Sequence, residues 1–140
     1  MWRSITDRGE LKAWFPCDVI LEEWKTGADI VFEFPEHGMT MTGTVLAVDA
    51  PRLLAYTWGE ETLRFELLPT AAGGTRLVLT DDLGPAVAAR NAAGWEICLE
   101  RLVGRAPAGD AWRPLFDHYV ASFGGTLGPQ EGPPAQYQQR

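Results

Sequence analysis

Asn91-Ala-Ala-Gly-Trp-Glu-Ile-Cys-Leu-Glu-Arg-Leu102 decides the fold class of this 140-residue chain. Trp95, Leu99 and Leu102 recur at i, i+4 and i+7, the spacing that builds one apolar helix face. The segment follows a long run of strand-like stretches. It is therefore expected to lie across a sheet, with Trp95 turned to the concave face where a ligand cavity would form. Nothing in it resembles a nucleophile, a metal ligand or a phosphate cradle, so function has to be read from a pocket.

Upstream of that helix the apolar period is two. Residues 17–24 read as a strand, and Lys25-Thr-Gly-Ala28 as a turn. Ile30, Phe32 and Phe34 alternate with Val31 and Glu33, and Pro35-Glu-His-Gly38 breaks that strand. Further strands are expected at 39–48, 53–58, 62–68 and 76–80. Leu54, Tyr56 and Trp58 share one face, and Leu63, Phe65 and Leu67 oppose Arg64 and Glu66. Six strands joined by short turns make an antiparallel meander.

The flanks are helical or unstructured. Asp7 is placed to cap a short helix carrying Leu11, Trp14 and Phe15, with Glu10 at the capping-box spacing and Pro16 ending it. The late helix runs from about Pro85 to Val103, where Gly104 and Pro107 stop it. A second, over 110–123 with Asp110 as N-cap, places Trp112, Leu115, Phe116, Tyr119 and Phe123 on one side. Residues 1–123 read as one α+β domain. The Gly/Pro/Gln-rich tail, 124–140, has too little apolar surface to offset its ordering entropy and is expected to be disordered.

Composition removes several partner classes. A net charge of −7 disfavours nucleic acid and anionic membranes, both of which need a basic surface. No apolar run approaches membrane-spanning length and no secretory leader opens the chain, so a cytoplasmic location without membrane insertion is expected. Cys17 and Cys98 lack CxxC spacing and read as reduced, structural thiols.

The opening residues carry a resemblance. Trp2-Arg-Ser-Ile-Thr-Asp7 followed by Leu11-Lys-Ala-Trp-Phe-Pro16 resembles the "VW.ALTD…L..WFP" start of the START-like (SRPBCC) superfamily, in the branch of the heat-shock-protein-90 ATPase activator homologues. Gly43-Thr-Val-Leu-Ala-Val-Asp-Ala-Pro-Arg-Leu-Leu-Ala-Tyr-Thr-Trp58, Gly74-Thr-Arg-Leu-Val-Leu-Thr80 and the Gly94-Trp95 helix match in the same order. The resemblance implies a helix-grip fold: a curved antiparallel sheet wrapped around a long C-terminal helix, with a cavity that in many relatives takes apolar or amphipathic molecules. The family places a further strand and a "P.ERV" segment before the Trp-Arg pair, whereas this sequence opens at Met1-Trp2. Six strands are therefore expected where seven are usual. Either the start codon lies upstream, or another element or a second subunit covers the exposed edge, the last giving a homodimer.

The candidate site is a cavity lined by Trp14, Phe32, Phe34, Met41, Tyr56, Trp58, Phe65, Trp95 and Leu99, an aromatic and Met load suited to an apolar ligand. Binding of a small hydrophobic or amphipathic molecule is the leading expectation, with no catalytic residue assigned. One alternative is a polyketide-cyclase-like enzyme, which needs His37, Arg64, Glu66 or Tyr56 turned into the cavity. The other is a chaperone-interacting module using Trp112 and Tyr119. No metal or cofactor is expected, because His37 and His118 are isolated and a zinc site gathers three or four ligands.

Overall fold

A computed structural model describes residues 1–132. The backbone gathers into two compact units, Met1–Asp82 and a second from Leu83 onward.

The first unit opens with two short helices, α1 (Trp2–Thr6) and α2 (Arg8–Leu11). Asp7 separates them and caps the second, its carboxylate accepting from the Glu10 N–H at 3.0 Å, as the spacing predicts. The carbonyls at the end of α1 are satisfied by tryptophans. Trp14 Nε1 donates to Ser4 O and Trp24 Nε1 to Thr6 O, each at 2.8 Å.

Six strands follow: β1 (Asp18–Ile20), β2 (Asp29–Phe34), β3 (Met39–Asp49), β4 (Leu53–Trp58), β5 (Glu61–Pro69) and β6 (Thr75–Asp82). They form one antiparallel sheet in sequential order, the expected meander. The first strand is shorter than its apolar pattern suggests, ending at Ile20 opposite Val31 instead of running to Trp24. Beyond it the Trp24 indole is drawn to Thr6 O, and the chain leaves the sheet. Arg8 holds β1 to α2 through a two-pronged contact with the Asp18 carboxylate, at 3.0 and 2.8 Å.

β3 belongs to both halves of the sheet, pairing with β2 through Met39–Thr44 and with β4 from Val45 to Asp49. Pairing with β4 is irregular between Val45 and Ala47, a bulge that adds local twist. Beside it the Thr44 N–H donates to Thr57 Oγ1 at 2.8 Å, a side chain standing in for a ladder carbonyl. Gly43 is buried at this crossing. A side chain there would overlap the Thr57 carbonyl oxygen and lie 2.9 Å from Phe32 Cε2, so only glycine lets the strands approach.

The second unit contains a 3₁₀ turn at Pro85–Val87 and two helices, α3 (Ala88–Leu102) and α4 (Trp112–Leu127). Ala89 and Ala93 on α3 pack with Phe116 on α4, flanked by Trp112, Leu115, Tyr119, Val120 and Phe123. Trp95 and Cys98, both buried, lie on the opposite side of α3. Two expectations change here. Asp110 does not cap α4, whose N-cap is Ala111 with no side-chain bond. And α4 runs on through Gly124–Leu127, into residues read as disordered. The following residues are tied down as well: the Gln130 side chain accepts from the Ala89 N–H and donates to Pro85 O, both at 2.9 Å. The rest of the predicted tail, 133–140, lies outside the described residues. No described helix is long and apolar enough to cross a membrane.

Candidate functional site

Period-two alternation gives the sheet one apolar face. Cross-strand partners share a face, so the pairs Phe32–Met41, Val45–Tyr56, Tyr56–Leu63 and Leu54–Phe65 place all these side chains together. Asp29, Val31, Thr42, Thr44, Arg64 and Glu66 take the other face.

On the apolar face the aromatic rings run as a connected series. Tyr56 is central, with ring centroids 5.4 Å from Trp24, 5.9 Å from Phe32 and 5.7 Å from Phe65. Phe65 meets Trp14 edge-on at 6.4 Å, Trp14 meets Phe15 at 5.4 Å, and Phe15 meets Trp58 at 6.1 Å. Five of the predicted lining residues, Trp14, Phe32, Tyr56, Trp58 and Phe65, are thus joined through ring contacts. Phe34 is buried at the end of β2 opposite Met39, while Met41 is half-buried. Trp95 and Leu99 belong to α3 in the second unit, the former buried and the latter half-buried.

Burial divides this set. Trp14, Phe32, Tyr56 and Phe65 are at most 2 % exposed and fill one another's contact shells. Met41 and Trp58 keep partial exposure and mark the open margin of the face. Two acidic residues that the sequence reading did not single out share that margin's face: Glu61 opposite Trp58, and Asp81 opposite Leu63. Both are half-buried. Their odd positions, in step with Leu63, Phe65 and Leu77, Leu79, were the available signal. Trp24 and Phe15 were also missed, because both lie outside the regular strands and alternation cannot place them.

Tyr56 carries the main electrostatic feature. Its hydroxyl is buried without a hydrogen-bond partner among the described residues. Burial pushes the phenol well above its ordinary 10, and the neighbouring Cys17 adds to the rise. It is therefore protonated at neutral pH, able to donate a hydrogen bond but unable to act as a base. Arg64 and Glu66 pair with each other at 3.1 Å on the exposed face. His37 sits half-buried in the Pro35–His37 turn, and His118 is exposed against Tyr119. Among the described residues no group of three or more His, Cys, Asp and Glu could hold a metal.

A groove of about 500 Å³ opens elsewhere on the sheet, lined by Asp29, Ile30, Val31, Thr42, Gly43, Thr44, Thr57 and Gly59. It uses none of the predicted lining residues.

A family model, activator of Hsp90 ATPase homolog 1-like protein, matches residues 1–106. The chain belongs to this family. With that the START-like resemblance is shown, and the six-stranded antiparallel sheet with a long C-terminal helix is its helix-grip class of α+β fold. No curated relative matches the chain. Among solved structures, a conserved protein of unknown function from Enterococcus faecalis superposes with a TM-score of 0.70 at 22% identity, covering 89% of this chain and 76% of that one. CalU16 from Micromonospora echinospora, solved in solution, gives 0.69 at 16% identity, covering 90% and 78%. A Bacillus halodurans protein gives 0.57 at 21% identity, covering 72% and 82%. At these identities the likeness concerns the fold alone.

Proposed function

We propose that this family member binds a small amphipathic molecule at the margin of its aromatic sheet face. The observation that carries the reading is the juxtaposition, on one face, of the half-buried Met41 and Trp58 with the acidic side chains of Glu61 and Asp81. Apolar contact would come from Trp58 and Met41, and the innermost rings would hold those two in place. Apolar burial contributes on the order of 25 cal/mol per Å² of ligand surface removed from water. The acidic pair suits a polar end that donates hydrogen bonds or carries positive charge better than an anion. Cys17 and Cys98 are both buried and form no disulfide among the described residues, which suits a reducing compartment and supports a cytoplasmic location.

Decylamine, decanol and decanoate, titrated against tryptophan fluorescence, test this. Saturable binding is expected in the order amine, alcohol, acid. Trp58→Ala should weaken it about tenfold, equivalent to roughly 1.4 kcal/mol of lost contact. Leu46→Ala, at an exposed β3 position, should leave it unchanged. A flat titration with all three probes would remove the proposal.

A further inference from the structure

We propose that the groove on the sheet face opposite the aromatic rings binds an amino sugar, its ammonium group on Asp29 and its hydroxyls on Thr42, Thr44 and Thr57. At about 500 Å³ the groove falls within the size range of small-molecule sites, roughly 300–1,000 Å³. Register builds its lining. Asp29 stands opposite Thr44, and Val31 opposite Thr42, across β2 and β3. Thr57 alternates with Tyr56 along β4 and so takes the same face. The groove lies wholly in the first unit and shares no residue with the aromatic margin, so it stands apart from the site proposed above.

A gap in the ladder supplies polar groups to this face. The Val45 N–H donates to Ala28 O and the Val45 carbonyl accepts from the Gly27 N–H, so the backbone groups of Val45 face the β2 side. Alternation then turns those of Thr44 and Thr42 towards β4. Pairing of β3 with β4 begins only at Val45, however, and Thr42 has no paired residue on β4. Thr44 meets a side chain instead, its N–H donating to Thr57 Oγ1 at 2.8 Å. That bond fixes the Thr57 oxygen and leaves its O–H free to donate, while the Thr42 and Thr44 hydroxyls donate or accept as a ligand requires.

Charge selects the ligand class. Asp29 is the one ionisable side chain in the lining; it is exposed and forms no ion pair with another described residue. An anion is opposed there, and a polyamine would leave most of its charges unmatched by a single carboxylate. One carboxylate beside three hydroxyls fits a molecule with one ammonium group and several hydroxyls. The half-buried Val31 offers apolar contact to the C–H face of a sugar ring.

Glucosamine, glucose and glucuronate, each titrated to tens of millimolar against amide chemical shifts, test the site. Glucosamine should saturate, with the shifts gathered at Val31, Thr42, Thr44 and Thr57. Glucose should bind about fivefold more weakly, the most that one exposed ion pair contributes, and glucuronate more weakly still. Asp29→Asn should lower glucosamine to the affinity of glucose, and Thr42→Val should weaken both. A flat glucosamine titration overturns the proposal. Shifts centred on Glu61 and Asp81 overturn it too, because they would put the ammonium group at the aromatic margin. So does an Asp29→Asn variant that keeps the preference for glucosamine. Should a variant fail to fold, the wild-type chain decides, and equal affinities for glucosamine and glucose reject the site.

Discussion

Gly43 and Tyr56 show how single residues set the sheet. Gly43 stands where β3 crosses β4, its missing side chain letting the Thr57 carbonyl approach. Gly43→Ala would force a methyl group into that oxygen and towards Phe32, a misfit that the paired backbone cannot relieve by a rotamer change. Overpacking of this kind costs about 1–3 kcal/mol, and more where backbone must move. Urea unfolding should show a loss of that size at unchanged slope; a loss below about 0.5 kcal/mol would mean that the crossing relaxes easily. Tyr56 balances a penalty against a gain. Its unbonded hydroxyl costs on the order of 1–3 kcal/mol. Its ring contacts with Trp24, Phe32 and Phe65 each contribute roughly 0.5–1.5 kcal/mol beyond area burial, so the packing offsets the penalty. Neither feature is fully legible in the sequence. Alternation places Tyr56 on the apolar face, but an unbonded hydroxyl depends on neighbours far away in the chain. A glycine within a strand signals a close approach without naming the atom that approaches.

Among elements, the strands were the most legible and the ends the least. Alternation located β2 to β6 to within a few residues, since one face is buried and each strand repeats the same constraint. β1 was overextended because Leu21 and Trp24 continue the apolar pattern while hydrogen bonding to α1 takes the chain elsewhere. The helix starts failed for a related reason. Val87 gives α3 no side-chain cap, and the missing bond comes from Gln130, 41 residues along the chain, which no local pattern discloses. Glu131 reinforces the clasp, its N–H donating to Ala86 O at 2.8 Å and its carboxylate lying 3.7 Å from Arg90. Gln130→Ala should therefore act as the loss of an N-cap, destabilising the chain by about 1 kcal/mol. The effect should concentrate in faster amide exchange over the first turn of α3. Exchange there equal to wild type would show that Gln130 contributes nothing to the helix start.

For the molecule as a whole, titration sets the pH limits of stability, and the two limits have opposite signs. The Arg8 hydrogen bond holds the Asp18 carboxyl below its ordinary 3.8 despite some desolvation. A carboxyl lowered on folding contributes stability above its unfolded value and loses it as pH falls through the folded one, so this contribution fades below about pH 4. At the alkaline end burial pushes the Cys98 thiol from 9.0 to about 11 and drives Tyr56 well above 10. For these groups the neutral form is the one the fold accepts. Their stabilisation is complete below the unfolded value and is lost as pH climbs towards the folded one. For Cys98 the interval runs from pH 9 to 11 and corresponds to roughly 2–3 kcal/mol. Thermal unfolding followed against pH should thus show a plateau from about pH 4 to 9 with a fall on either side. Cys98→Ala lowers the plateau through lost packing, but it removes the thiol's share of the alkaline fall, so the gap between variant and wild type should narrow from pH 9 to 11. A gap that stays constant over that interval would remove Cys98 from the alkaline limit and leave it to the tyrosines, Tyr56 and Tyr119, whose phenols burial also pushes up.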